Sequence, residues 1–124
     1  MPTYDRSVSP PAPIADVFLV NPATGLRIEL VRGKLDTGAA VTVIPEDIVV
    51  ALELVSHGEV WARSYDGSYS QQPLYYVALT VAGFSVPPVR CLAARRETAL
   101  IGRNVLNRFV ITLDGQNLTF DISE

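Results

Sequence analysis

Two segments of the chain hold residues whose types and spacing could do chemistry. The first runs Leu35-Asp36-Thr37-Gly38-Ala39-Ala40-Val41-Thr42-Val43-Ile44. An apolar approach delivers a carboxylate into a tight turn, and a β-branched run leaves it. Gly38 lets the backbone turn sharply and lets another chain approach closely. A carboxylate held there can take or give a proton as a general base or acid. Taken alone, Asp36-Thr37-Gly38 reads as a plain turn between strands. The second segment, Ala99-Leu100-Ile101-Gly102-Arg103-Asn104-Val105-Leu106, is an apolar strand, a glycine and then a helix start.

In this order, with a hairpin between them, the two segments resemble the retropepsin family of retroviral and related cellular aspartic proteases. That family places an apolar residue before Asp-Thr/Ser-Gly-Ala/Ser and, many residues later, two apolar residues before Gly-Arg-Asn/Asp. The resemblance covers roughly Ala15 to Phe109 and implies a mainly β, closed-barrel acid-protease fold with one or two short helices. It implies that Asp36 is the catalytic carboxylate. Thr37, Gly38 and Ala39 would support the active-site loop: Thr37 by a hydroxyl crossing a dimer axis, Gly38 by backbone contact with bound peptide. Gly102 would lie where a strand passes behind that loop, and Arg103 would tie the helix start to it. In the retroviral enzymes the partner of this arginine is an acid four residues after the catalytic one. Here that position is Ala40, so the same ion pair cannot form.

Aspartic proteolysis needs two carboxylates that share a water, one as base and one as acid. The chain holds no second Asp-Thr/Ser-Gly; Asp66-Gly67-Ser68 and Asp114-Gly115 lack the flanking pattern. The second carboxylate is therefore expected from another copy, in a two-fold homodimer acting on an extended polypeptide. Two other readings stand beside this one. The chain could keep the fold as a binding or assembly module without turnover, or be a β-barrel interaction domain that carries the motif by chance.

Asp66-Gly67 between two strand-like runs is a strong hairpin signal. By the same resemblance this hairpin is the flap that closes over peptide, with Trp61, Tyr65, Asp66, Gly67 and Tyr69 as its contact residues. Nothing asks for a metal or cofactor. His57 is the only histidine and has no ligand cluster around it. Cys91 has no histidine in its segment and reads as a buried strand residue.

The elements that must position these residues are mostly strands. Ala15–Val20 and Leu26–Val31 flank the turn cluster Asn21-Pro22-Ala23-Thr24-Gly25. Arg32-Gly33 reads as a further turn, with Lys34-Leu35-Asp36 running back from it. Val41–Ile44 is a buried strand. Pro45-Glu46-Asp47 opens a helix to about Leu54, with proline in the first turn and acids near its positive end. Gly58–Tyr65, Ser68–Ala78, Val77–Val81, Val89–Ala93 and Ala99–Ile101 follow as strands. Asn104–Phe109 has helical spacing, and Val110–Leu113 with Asn117–Ile122 makes a final hairpin. Residues 1–13 hold Pro10, Pro11 and Pro13 and read as a flexible arm, leaving residues 14–124 as one domain.

Size and composition agree with that division. The chain has 124 residues, 48% of them hydrophobic, with nine prolines and eight glycines, which suits one domain of short elements. A formal net charge of -3 without a basic stripe excludes an evident nucleic-acid surface. No apolar run approaches the roughly 20 residues of a membrane span, and the first residues lack a signal-peptide pattern. One cysteine cannot form an internal disulfide, which predicts a reducing, cytoplasmic setting.

Overall fold

The computed structural model describes residues 2–63 and 66–124. Among the described residues ten strands and two short helices follow one another. Strand β1 (Ile14–Val20) turns at Asn21 and returns as β2 (Arg27–Leu35). Then come β3 (Thr42–Pro45), α1 (Glu46–Ala51), β4 (Glu59–Arg63) and β5 (Tyr69–Pro73). The rest of the chain is β6 (Tyr75–Val81), β7 (Phe84–Ala94), β8 (Ala99–Ile101), α2 (Arg103–Leu106), β9 (Val110–Asp114) and β10 (Thr119–Ser123). Six strands close a barrel in the order β1-β2-β8-β3-β7-β6, while β4-β5 and β9-β10 are separate two-stranded sheets. The expected mainly β, closed-barrel fold with two short helices is the fold observed.

Alternation along the strands builds the core. Val17, Leu19, Val77, Leu79 and Val81 point inward from β1 and β6, and Ile44 and Ile101 are fully buried in the same cluster. Each such side chain, buried to a few percent or less, contributes about 1.5–3 kcal/mol relative to leaving it exposed. Buried Asn21 ties the β1–β2 turn to the end of α1. Its Nδ2 donates to the carbonyls of Leu52 (2.9 Å) and Glu53 (3.2 Å), and its Oδ1 accepts from Ala23 N–H at 2.9 Å.

The turn expected at Arg32-Gly33 is absent. Gly33 sits inside β2, paired with Ala15 on one side and Ala99 on the other. A Cβ there would lie 2.9 Å from Ile101 Cγ1 and 3.4 Å from Val17 Cγ2. The glycine serves close packing across the barrel, not chain reversal. Both helices are shorter than expected: α1 ends at Ala51, not near Leu54, and α2 is a single turn, Arg103–Leu106. Leu74 separates β5 from β6 within the run Ser68–Ala78, so the chain leaves the hairpin there and enters the barrel.

The segment read as an arm makes backbone contacts. Tyr4 N–H donates to Leu118 C=O at 2.7 Å, and Phe120 N–H to Pro2 C=O at 3.0 Å. Arg32 bonds Asp16 at 2.6 Å and Asp5 at 3.3 Å, bringing this segment against β1 and β2. No helix among the described residues is long and apolar enough to cross a membrane.

Cys91 faces the barrel interior with no exposed surface, and burial pushes its thiol up to about 12. Thiolate is the nucleophilic form, so a raised value means little of it near neutral pH. Folded protein at pH 8 is expected to resist alkylation, and denatured protein to take up one equivalent. Rapid labelling of the folded chain would contradict this burial.

Candidate active site

The loop carrying Asp36 is held from three directions. Its entry is fixed where β2 runs parallel to β8: Leu35 pairs with Ile101, and Asp36 N–H donates to Ile101 C=O at 3.0 Å. Its turn closes on itself, because Gly38 N–H donates to Asp36 Oδ1 at 2.9 Å and Ala39 N–H to Asp36 C=O at 3.3 Å. Its exit is tied to the strand–helix junction: Arg103 N–H donates to Ala39 C=O at 2.8 Å, and Asn104 N–H to Ala40 C=O at 3.3 Å. One carboxylate oxygen of Asp36 is thus engaged by the loop backbone, which fixes the orientation of the other.

Gly102 is the point of closest approach. Its conformation is extended (φ -88°, ψ -179°), which any residue adopts, so space is what selects glycine here. A Cβ would lie 2.7 Å from the Val41 carbonyl carbon and 2.9 Å from the Ala39 carbonyl oxygen. Arg103 reaches over the loop, and its Nη1 donates to Thr37 C=O at 2.8 Å. With Ala40 unable to offer a carboxylate, the guanidinium is used on the loop backbone.

Two residues that sequence reasoning passed over complete the support. Thr42 is fully buried, and its hydroxyl accepts from Gly102 N–H (3.1 Å) and donates to Asn104 Oδ1 (2.9 Å). Asn104 Oδ1 also accepts from Thr42 N–H at 3.1 Å, and its Nδ2 donates to Arg90 C=O at 2.8 Å. This network joins β3, α2 and β7 behind the Asp36 loop with no buried side-chain polar atom left unpaired among the described residues, the arrangement in which buried polar groups add rigidity. A polar Thr amid Val41, Val43 and Ile44 was the available signal, together with an Asn directly after Gly-Arg.

A cleft of about 730 Å³ opens above the loop. Asp36, Gly38, Ala39 and Ala40 line it from below, Val60, Trp61, Ala62 and Arg63 from β4, and Arg90, Leu92 and Leu100 from the barrel. The structure therefore brings Trp61 together with Asp36 across one cavity. Thr37 is exposed on the loop and is not among the cleft-lining residues. Asp66, Gly67 and Tyr69 lie in the hairpin but not on the cleft wall, and Tyr65 lies outside the described residues. At the hairpin tip the Ser68 hydroxyl, and next its backbone N–H, hold the Asp66 carboxyl below its ordinary value. Tyr69 is exposed, with the Arg63 guanidinium carbon 5.9 Å from its ring centroid.

A family model described as aspartyl protease matches residues 27–105, which spans the Asp36 loop, the β4–β5 hairpin and the Gly102-Arg103 junction. The chain belongs to that family, and its fold is that of the retropepsin-like members. Among solved structures it is similar to a retropepsin-like aspartic protease from Rickettsia conorii, with a TM-score of 0.68 and 14% identity over 98% of this chain and 87% of that one. It is also similar to the EIAV protease complexed with an inhibitor, with a TM-score of 0.61 and 19% identity over 78% of this chain and 86% of that one. The foamy viral protease-reverse transcriptase matches at a TM-score of 0.56 and 20% identity, over 80% of this chain, which spans only 12% of that longer one. No curated protein matches the sequence.

Proposed function

We propose that the chain is one subunit of a homodimeric aspartic endopeptidase in which two Asp36 carboxylates share a water molecule. The observation that carries this reading is the orientation of Asp36. Its carboxylate is fixed by Gly38 N–H on a loop anchored to Ile101 and Arg103, at the floor of a cleft bounded by a β-hairpin. The chain supplies one such carboxylate in one such loop, and a two-fold axis through the loop supplies the other.

In the proposed reaction one Asp36 is ionised and its mate protonated, because like charges held close do not both ionise. The ionised carboxylate takes a proton from the water as the oxygen attacks the scissile carbonyl carbon. The protonated one donates to the carbonyl oxygen, giving a neutral gem-diol. The C–N bond then breaks as the nitrogen takes a proton and the gem-diol returns one to the dyad. A carboxylic acid and an amine leave, and no acyl-enzyme forms. The polypeptide would lie extended in the cleft, its backbone meeting Gly38 below and the β4–β5 hairpin above. Trp61 would contact its side chains, and the exposed Thr37 would meet its mate across the axis.

A quenched peptide substrate tests the dimer directly. Activity per subunit is expected to fall as the protein is diluted through its dimer dissociation constant, in step with the sedimentation profile. Full specific activity in a species that sediments as a monomer would refute the shared site. A protein that dimerises and binds pepstatin but cuts no denatured protein would instead favour a binding module that keeps the fold.

A further inference from the structure

The cleft has an unbalanced charge that the reaction does not use. Among the described residues three charged ones line it, Asp36, Arg63 and Arg90, two cations to one carboxylate. This contrasts with a whole chain of net charge -3. Neither arginine has a salt-bridge partner among the described residues, whereas Arg32 and Arg95 do.

Both are placed by the fold. Arg90 lies on β7 two residues before Leu92, on the same face as that cleft-lining side chain. Its carbonyl accepts from Asn104 Nδ2, which ties its backbone to the network behind the Asp36 loop. Arg63 ends β4, its guanidinium near the Tyr69 ring and 3.7 Å from the position a Cβ would take on Gly67. One cation therefore stands on the barrel wall and the other on the hairpin. The acids nearest in sequence on the hairpin, Glu59 and Asp66, are not cleft-lining, and Asp66 is committed to Ser68.

We propose that Arg63 and Arg90 make this cleft selective for polypeptides carrying acidic side chains beside the scissile bond. The inference rests on reading the cleft as the peptide-binding site of an aspartic protease, and it names the class of peptide that site prefers. The remaining lining is apolar, so the favoured segment pairs acidic residues with aliphatic or aromatic ones. A guanidinium offers a planar fork of donors that matches a carboxylate, and an apolar cleft screens the pair less than open solvent does.

The test separates recognition from chemistry. Full-length Asp36→Asn protein is titrated at pH about 6, where glutamate is ionised, with three labelled peptides. They are identical except for two glutamates, two glutamines or two lysines beside the central bond. At low ionic strength the glutamate peptide is expected to bind about tenfold more tightly than the glutamine peptide, and the lysine peptide most weakly. High salt should compress the ratio. Arg63→Gln combined with Arg90→Gln should bring it close to one, and Arg90→Lys should keep part of it. Equal affinities, no binding of any peptide, or a preference that survives the double replacement would overturn the proposal. Cleavage by wild-type protein is scored separately. Acid-selective binding without cleavage would refute the protease reading and leave the acid selectivity of the peptide cleft standing. Cleavage indifferent to glutamate would do the reverse.

Discussion

Asp36→Asn is expected to abolish peptide hydrolysis while the barrel stays folded. The amide is nearly isosteric, and its Oδ1 can still accept the Gly38 N–H bond that closes the loop. The entry and exit contacts to Ile101, Arg103 and Asn104 are made by backbone atoms and survive the change. What disappears is the capacity to take a proton from water, and general acid–base catalysis alone is worth about 10²–10⁴-fold. Turnover should fall by at least that much, with the circular dichroism spectrum and melting temperature nearly unchanged. Mixing gives a sharper result. If one active site is built from two chains, excess Asp36→Asn protein should suppress wild-type activity by capturing its subunits in mixed dimers. Wild-type activity that is indifferent to the added variant would mean that each chain works alone. Retained cleavage by the purified variant would move the chemistry away from Asp36.

What the sequence made legible depends on how local the physical signal is. Asp36-Thr37-Gly38 and Gly102-Arg103 each carry a backbone demand in a few residues, and both lie where a strand meets a turn or helix. The Asp66-Gly67 hairpin is likewise local, and its two strands pair in register from Glu59–Pro73 to Arg63–Tyr69. Gly33 misled because a glycine after arginine looks like a turn, while its real constraint is the Ile101 side chain, distant in sequence. Thr42 and Asn104 were passed over for the same reason. Their hydrogen bonds join positions about sixty residues apart, and a lone Thr in a β-branched run has the ordinary look of a strand. The meeting of Arg63 and Arg90 in one cleft lining is equally non-local. It appears only once the hairpin is set over the barrel.

Gly102→Ala is expected to be the most damaging single-methyl change in the chain, to stability and to activity together. Three atoms stand closer than 3.0 Å to the added Cβ: Val41 C at 2.7 Å, and Ala39 O and Val41 O at 2.9 Å each. All three are backbone, so no rotamer change relieves the contact, and the loop exit at Ala39–Val41, just before β3, must move away from the strand–helix junction. Overpacking of this kind costs about 1–3 kcal/mol where side chains can adjust, and an immovable backbone puts this site at the upper end or beyond. For a chain of this size a cost of about 3 kcal/mol should lower the melting temperature by roughly 9–15 °C. Activity should fall further than stability, because the same shift acts on Ala39 and Ala40, whose carbonyls anchor the Asp36 loop. A misplacement of about 1 Å can cost on the order of 100-fold in rate. Two other glycines calibrate the result. A Cβ on Gly33 meets Ile101 Cγ1 and Cδ1 at 2.9 and 3.0 Å, side-chain atoms that can partly yield, and a Cβ on Gly115 meets nothing within 4 Å. The expected order of damage is therefore Gly102→Ala, then Gly33→Ala, then Gly115→Ala with almost none. Thermal melts of the three variants beside peptide cleavage by folded protein decide the matter. If Gly102→Ala melts and cleaves like the wild type, the close approach behind the Asp36 loop is not what holds Asp36 in place.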